Sequence, residues 1–186
     1  MALGTTQNGD LAVDSLISAT RGFPGEYFRW PSGSTRAGRY YERMYCYELY
    51  HRWRPLIQSR LSGYVLNGEL DKRAWMWDAI PDFLVHMPNT DNNALAVEVK
   101  VVGNDGNSLD MNKVIHDLEK LRRAEDGYLY MSTAFLLVGD DQDAWDRTVT
   151  AFQRMTTAAR PSRTNFLWHK TSTDGAHLQS IKAPLR

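Results

Sequence analysis

Residues 80–102 read IPDFLVHMPNTDNNALAVEVKVV, and the fold turns on how this stretch is divided. Residues 80–86 and 95–102 have the apolar character of strands. Residues 87–93 between them, with Pro88, Asn89, Asp91 and Asn92, have the composition of a hairpin connection. Side chains alternate across a strand, so Leu95, Val97, Val99 and Val101 share one face. Glu98 and Lys100 share the other with Ala94, Ala96 and Val102. A glutamate and a lysine thus project side by side from an otherwise apolar strand. Burying charges is costly unless they are paired or bind a metal. Asp82 is an acid early in the preceding strand, behind Pro81, whose missing N–H is tolerated at a strand start. If the hairpin register allows it, Asp82 and Glu98 converge with Lys100 alongside.

Working outward, residues 64–66 are a short strand candidate followed by Asn67-Gly68, a turn signal. Before them, from Ala37, the pattern is helical. Cys46, Leu49, Trp53 and Leu56 stand at i, i+3, i+7 and i+10, with Pro55 a place for a kink or break near Arg54. The first 37 residues, rich in Gly, Pro, Ser and Thr, read as an irregular arm with a short helix around 11–19. On the other side, Met111, Val114, Leu118 and Leu121 make a helical stripe closed by Asp126-Gly127. Residues 128–138 then suit a strand buried on both faces. Residues 140–143 offer N-caps for a third helix with the stripe Trp145, Val149 and Phe152. Residues 165–169 make a last strand, and the tail from Lys170 is polar and loose. Helix, three strands, helix, strand, helix, strand predicts an α/β fold: a mixed β-sheet flanked by helices. The divisions are an arm over 1–37, one domain over 38–169 and a tail over 170–186.

Composition narrows the functional classes. The chain has 186 residues, enough for one domain with its own core, and 42% are hydrophobic, which excludes a disordered chain. Lys plus Arg and Asp plus Glu both number 22, so a large sequence-independent nucleic-acid footprint is disfavoured while a local basic face is not. One cysteine, Cys46, rules out an intrachain disulfide and suits a reducing compartment. It lies among tyrosines in a helical pattern and reads as a buried structural thiol. No apolar run has the length of a membrane span and no signal peptide is visible, so the expected location is the cytoplasm, with no membrane partner. Phosphate-loop, dinucleotide-binding and hydrolase-elbow motifs are absent from the sequence. The histidines at 51, 86, 116, 169 and 177 have no zinc-site spacing. His86, with the side-chain parity of Asp82, either borders a pocket or is a hydrogen-bonded sheet histidine.

Two carboxylates from adjacent strands are what a hard cation such as Mg²⁺ asks for, with waters and phosphate oxygens completing the shell. Pro81-Asp82, a gap of fifteen residues, then Glu98-Val99-Lys100 resembles the PD-(D/E)xK signature of restriction-endonuclease-like nucleases. The order of elements over residues 40–138 is also similar to that family. The resemblance implies an α-β-β-β-α-β core and hydrolysis of phosphodiester bonds, with DNA the more expected substrate than RNA, assisted by Mg²⁺ or Mn²⁺. It implies Asp82 and Glu98 as metal ligands and Lys100 as the residue acting on the attacking water or on developing negative charge. A homodimer or a partner subunit would fit the family.

Such nucleases often add an acid from the first helix. Glu48, at the edge of the apolar stripe, is preferred as this metal ligand, with a Glu48–Arg52 surface pair as the plain alternative. Glu42 lies nearer the helix start, where a carboxylate also complements the dipole. Glu69, beside Asp71 in an expected turn, is the substitute if the helix stays away. Lys113, His116, Asp117 and Lys120 lie away from the 111–121 stripe. They read as a solvated helical face or, for Lys113 and Lys120, as nucleic-acid contacts. The rival functions are a non-catalytic module that keeps the fold to bind nucleic acid or protein, and an assembly protein using its aromatics at an interface.

Overall fold

The computed structural model of the chain describes residues 3–28, 41–68, 81–102 and 109–181. Its elements are α1 (Leu3–Thr20), α2 (Gly25–Phe28), α3 (Glu42–Arg60), β1 (Val65–Gly68), β2 (Phe83–His86), β3 (Asn93–Val101), α4 (Met111–Gly127), β4 (Ser132–Val138), α5 (Gln142–Arg154), β5 (Thr164–His169) and β6 (His177–Gln179). The six strands form one mixed sheet in their order along the chain. β1, β2 and β3 are an antiparallel meander, β3, β4 and β5 run parallel, and β6 returns antiparallel to β5. The α/β class and the mixed sheet flanked by helices are as the sequence predicts.

Both faces of the sheet are covered. Val97 and Val99 of β3, with Ala134, Leu136 and Leu167, pack against Leu16 of α1 and Leu49, Trp53 and Ile57 of α3. Ala96 of β3, with Phe135, Leu137 and Trp168, packs against Leu118 and Leu121 of α4 and Trp145 of α5. The two helices that join parallel strands therefore lie on one face, as crossovers of one hand running in one direction require. All seven residues of β4 are buried, which accounts for its unbroken apolar run. Asp110 caps α4 by accepting from the Asn112 amide, and Asp141 caps α5 through the Ala144 amide.

Four local expectations need correction. The opening arm is not irregular up to residue 11: α1 begins at Leu3 and continues to Thr20. Its first turns hold poor helix formers, but packing overrides propensity. At Gly9, a Cβ would come within 3.2 Å of Met131 and Ser132, so glycine lets the helix settle on the start of β4. Pro55 does not end α3, since it and His51, to which it can donate no N–H, both lie on the exposed side. Asn67-Gly68 is not a turn but the end of β1, paired with Leu84 and Phe83. Bare Gly68 makes room for the Phe83 ring, whose nearest carbon would be 3.2 Å from an added Cβ. The polar tail also adds β6, pinned by Ala176 N–H donating to Thr20 Oγ1 at 2.7 Å. Glu69 and Asp71 lie outside the described residues.

Candidate active site

β2 is shorter than β3, and the site lies where the ladder between them stops. The last pair is Phe83 with Val97. Further along β3, the amides that point toward β2 have no strand to pair with among the described residues, and side chains take them. Val99 N–H donates to Asp82 Oδ2 at 2.7 Å, and Val101 N–H donates to Glu42 Oε2 at 3.4 Å. Asp82 thus sits just before β2 rather than within it, fixed against β3 by its own carboxylate.

Period-two alternation turns Glu98 and Lys100 toward α4, as expected. Glu98 is 1% exposed. Its Oε2 receives the Lys120 ammonium at 3.2 Å, while its Oε1 is buried with no hydrogen-bond partner among the described residues. Lys120 also lies 2.8 Å from Asp117 Oδ1. Asp117 Oδ2 takes the Lys100 ammonium at 2.9 Å, and Lys100 reaches Glu42 Oε2 at 3.8 Å. Four carboxylates (Glu42, Asp82, Glu98 and Asp117) therefore gather around two ammonium groups.

Electrostatics follow from this crowding. Burial pushes the Asp82 carboxyl up to about 6, aided by the Glu42 charge and opposed by the Val99 hydrogen bond and the two lysines. Burial also holds Glu98 well above the usual carboxylate range, and the neighbouring Asp82 charge adds to it. Burial alone would lower Lys100, but Glu42, Asp117 and Glu98 outweigh it and hold the lysine above its ordinary value. Lys120 is raised in the same way, its burial outweighed by Glu98 and Asp117. Both lysines stay charged at neutral pH.

Among the described residues, no set of three His, Cys, Asp or Glu side chains is arranged to hold a metal. A hydrated divalent cation needs only one or two protein carboxylates, however. Asp82 and Glu98 fit that requirement, with the unpartnered Oε1 of Glu98 as a free donor. Beside Asp82 opens a cavity of about 290 Å³ lined by Cys46, Tyr47, Tyr50, Asn67, Gly68 and Phe83. Tyr47 is half in solvent at 57% exposure, and Arg43 lies over its ring.

Glu98 and Lys100 share one face of β3, as expected, and Asp82 lies near enough for its charge to act on Glu98 and that of Lys100 to act on it. Glu48 is not part of the cluster: it pairs with Arg52 at 3.8 Å, and Arg52 in turn holds the carbonyls of Ala19 and Arg21 at the end of α1. The first-helix acid at the site is Glu42. A signal for this was present, because Glu42, Cys46, Leu49 and Trp53 stand at i, i+4, i+7 and i+11, one inward stripe. Asp117 and Lys120 are not a solvated face either. Asp117 is 4% exposed and belongs to the inward set Val114, Asp117, Leu118 and Leu121. Lys113 is exposed, one turn before Asp117 and two before Lys120. His86 is a sheet histidine, accepting from the Asn67 amide at 2.6 Å, and Cys46 is buried.

No helix among the described residues is long and apolar enough to cross a membrane. No known family, no curated protein and no solved structure matches this chain.

Proposed function

We propose that the protein is a metal-dependent nuclease of the PD-(D/E)xK type, hydrolysing phosphodiester bonds with Mg²⁺ or Mn²⁺, DNA before RNA. One observation carries the reading: Glu98 is buried beside Asp82, and one of its oxygens has no hydrogen-bond partner among the described residues. Glu125 is the comparison within the same chain. It is equally buried, yet its carboxylate accepts from Thr133 Oγ1, Ser162 N–H and Oγ, Arg163 N–H and Thr164 Oγ1. A carboxylate buried for architecture is wrapped in donors; among the described residues Glu98 has only the Lys120 ammonium.

The meander β1–β3, the helix α4 and the parallel strand β4, following the long helix α3, have the element order of the α-β-β-β-α-β nuclease core. In this reading Asp82 and Glu98 hold the cation, and Glu42 supports it from α3. A divalent cation bound there lowers the pKa of a water and offsets charge on the phosphate. Lys100, kept protonated by Asp117 and Glu42, serves as a positive charge for the developing phosphate oxyanion and as a donor that orients the water. It does not act as a base in that state. Tyr47 and Tyr50 beside Asp82, with Arg43 over the Tyr47 ring, offer aromatic faces and a cation to a nucleic-acid strand.

The Lys120–Asp117–Lys100 pairing favours a second reading, a non-catalytic module in which both lysines are already paired with carboxylates of the same chain. Cleavage of supercoiled, linear and single-stranded DNA and of RNA, with Mg²⁺ or Mn²⁺, separates the two. Cutting that Asp82→Ala and Lys100→Ala both abolish supports the nuclease. An inert unaltered chain that still binds nucleic acid supports the module.

A further inference from the structure

The nuclease reading leaves Lys120 and Asp117 without a role, although they make the shortest ion pairs of the cluster. Lys120 is an α4 residue whose ammonium bridges Glu98 Oε2 at 3.2 Å and Asp117 Oδ1 at 2.8 Å. It is therefore shared between a carboxylate that would bind metal and one that would not. Asp117 is shared in turn: its other oxygen holds Lys100 at 2.9 Å. Lys120 donates to Oε2 of Glu98, and the buried Oε1 has no hydrogen-bond partner among the described residues.

We propose that Lys120 is a built-in counter-ion that neutralises Glu98 in the metal-free protein and gives Glu98 up to a divalent cation, with Asp117 as the positioning residue that retains it. The inference rests on the metal-binding part of the proposed function. With all four carboxylates ionised, the cluster has two more negative than positive charges, which one divalent cation would balance. Lys120 can release Glu98 without leaving the site, because Asp117 already holds it at the shorter distance. A lysine on a flexible stem can make that change at small cost. The metal-free site thus avoids the bare repulsion of Glu98 and Asp82, at the expense of metal affinity. Lys100, gripped by the far oxygen of Asp117, is not displaced when Lys120 moves.

The test is calorimetric titration with Mn²⁺, without nucleic acid, of the unaltered protein, Lys120→Met, Lys120→Gln and Lys113→Met. Lys113 lies on the same helix but is exposed, and it controls for the loss of one positive charge. Lys120→Gln keeps a side chain able to donate to Glu98, should Lys120→Met fold poorly. The expected result is Mn²⁺ affinity about tenfold higher in the Lys120 variants and within about twofold of the unaltered value in Lys113→Met. The rise in Tm on adding Mn²⁺ should also be larger in the Lys120 variants, because their metal-free state has lost its counter-ion. Unchanged or weaker binding in the Lys120 variants, an equal gain in Lys113→Met, or no Mn²⁺ binding by any form would overturn the proposal. Tighter binding as expected, in a protein that cuts no nucleic acid, would remove the nuclease reading and leave Lys120 as the counter-ion of a metal site.

Discussion

The amide of Val99 donates to Asp82 at 2.7 Å, just past the last pair of the β2–β3 ladder, so one carboxylate both finishes the sheet and faces the site. The two roles separate by substitution. Asp82→Asn keeps an acceptor for Val99 and should fold normally while losing metal-dependent cleavage. Asp82→Ala also strands a buried amide and should be less stable than Asp82→Asn by about 1 kcal/mol. Urea unfolding of both variants, beside cleavage assays, checks this; equal stability would show that the bond to Val99 contributes nothing.

Glu98 is held in an environment that disfavours its charge. Glu98→Gln removes that charge and its repulsion with Asp82 while conserving shape. The metal-free variant should melt no lower than the unaltered protein, and its cleavage should fall by about 100-fold or more. A large loss of stability would instead mean that the Lys120 pair is structural.

Glu42 and Glu48 lie on one helix and differ in where they point. Glu42→Gln should reduce cleavage by about tenfold, because it loosens both Lys100 and the Val101 end of β3. Glu48→Gln, whose partner is Arg52, should leave cleavage within about twofold. Rates measured at one metal concentration decide between them, and the reverse order would return Glu48 to the site.

The pH dependence of stability has two opposed parts. Asp82 rises from 3.8 to about 6 on folding, so between those values the folded chain holds the proton that the unfolded chain has lost, and stability falls as pH rises. Glu98 acts in the same direction. His169 is the reverse: burial lowers it from 6.5 to about 4, and its contribution is present above about pH 6.5 and lost as pH falls toward 4. Its Nε2 faces the Asp174 carbonyl and must carry the hydrogen, so Nδ1 accepts from the Tyr45 hydroxyl at 2.8 Å and the ring is neutral. Asp82→Asn should therefore make metal-free stability climb more steeply from pH 4 to 6.5. Urea midpoints across that range read the slope, and parallel profiles for the two proteins would count against a raised Asp82.

The sequence carried the strands of the site well, because alternation along β3 assigns each side chain to a face without further information. Lys100 and Glu98 were legible for that reason, and so was the buried run of β4. α1 was legible only in its second half, since Thr5, Thr6, Asn8 and Gly9 favour no helix until the start of β4 is there to pack on. Asn67-Gly68 misled because β2, not a turn, lies opposite it. Asp117 was misread by position: it was grouped with Lys113, His116 and Lys120 away from the 111–121 stripe, whereas it stands three residues after Val114 and four before Leu121, on the inward side of α4. A charged residue at an inward helical position is a stronger sign of a site than the same residue outside it.

The N-terminal position of α1 has a consequence for how the chain reaches its fold. α1 and α3 can associate early, joined by the Trp53 indole donating to Ser15 Oγ at 2.8 Å. The underside of that pair stays open until β3 and β4 join, and β4 is made only after α4. Synthesis therefore produces an apolar helical layer well before its support exists, and long-range pairing sets the pace of closure. A chain ending after Gly127 would keep the early helices and the meander without the strand they rest on, and it would self-associate rather than persist as a smaller folded unit.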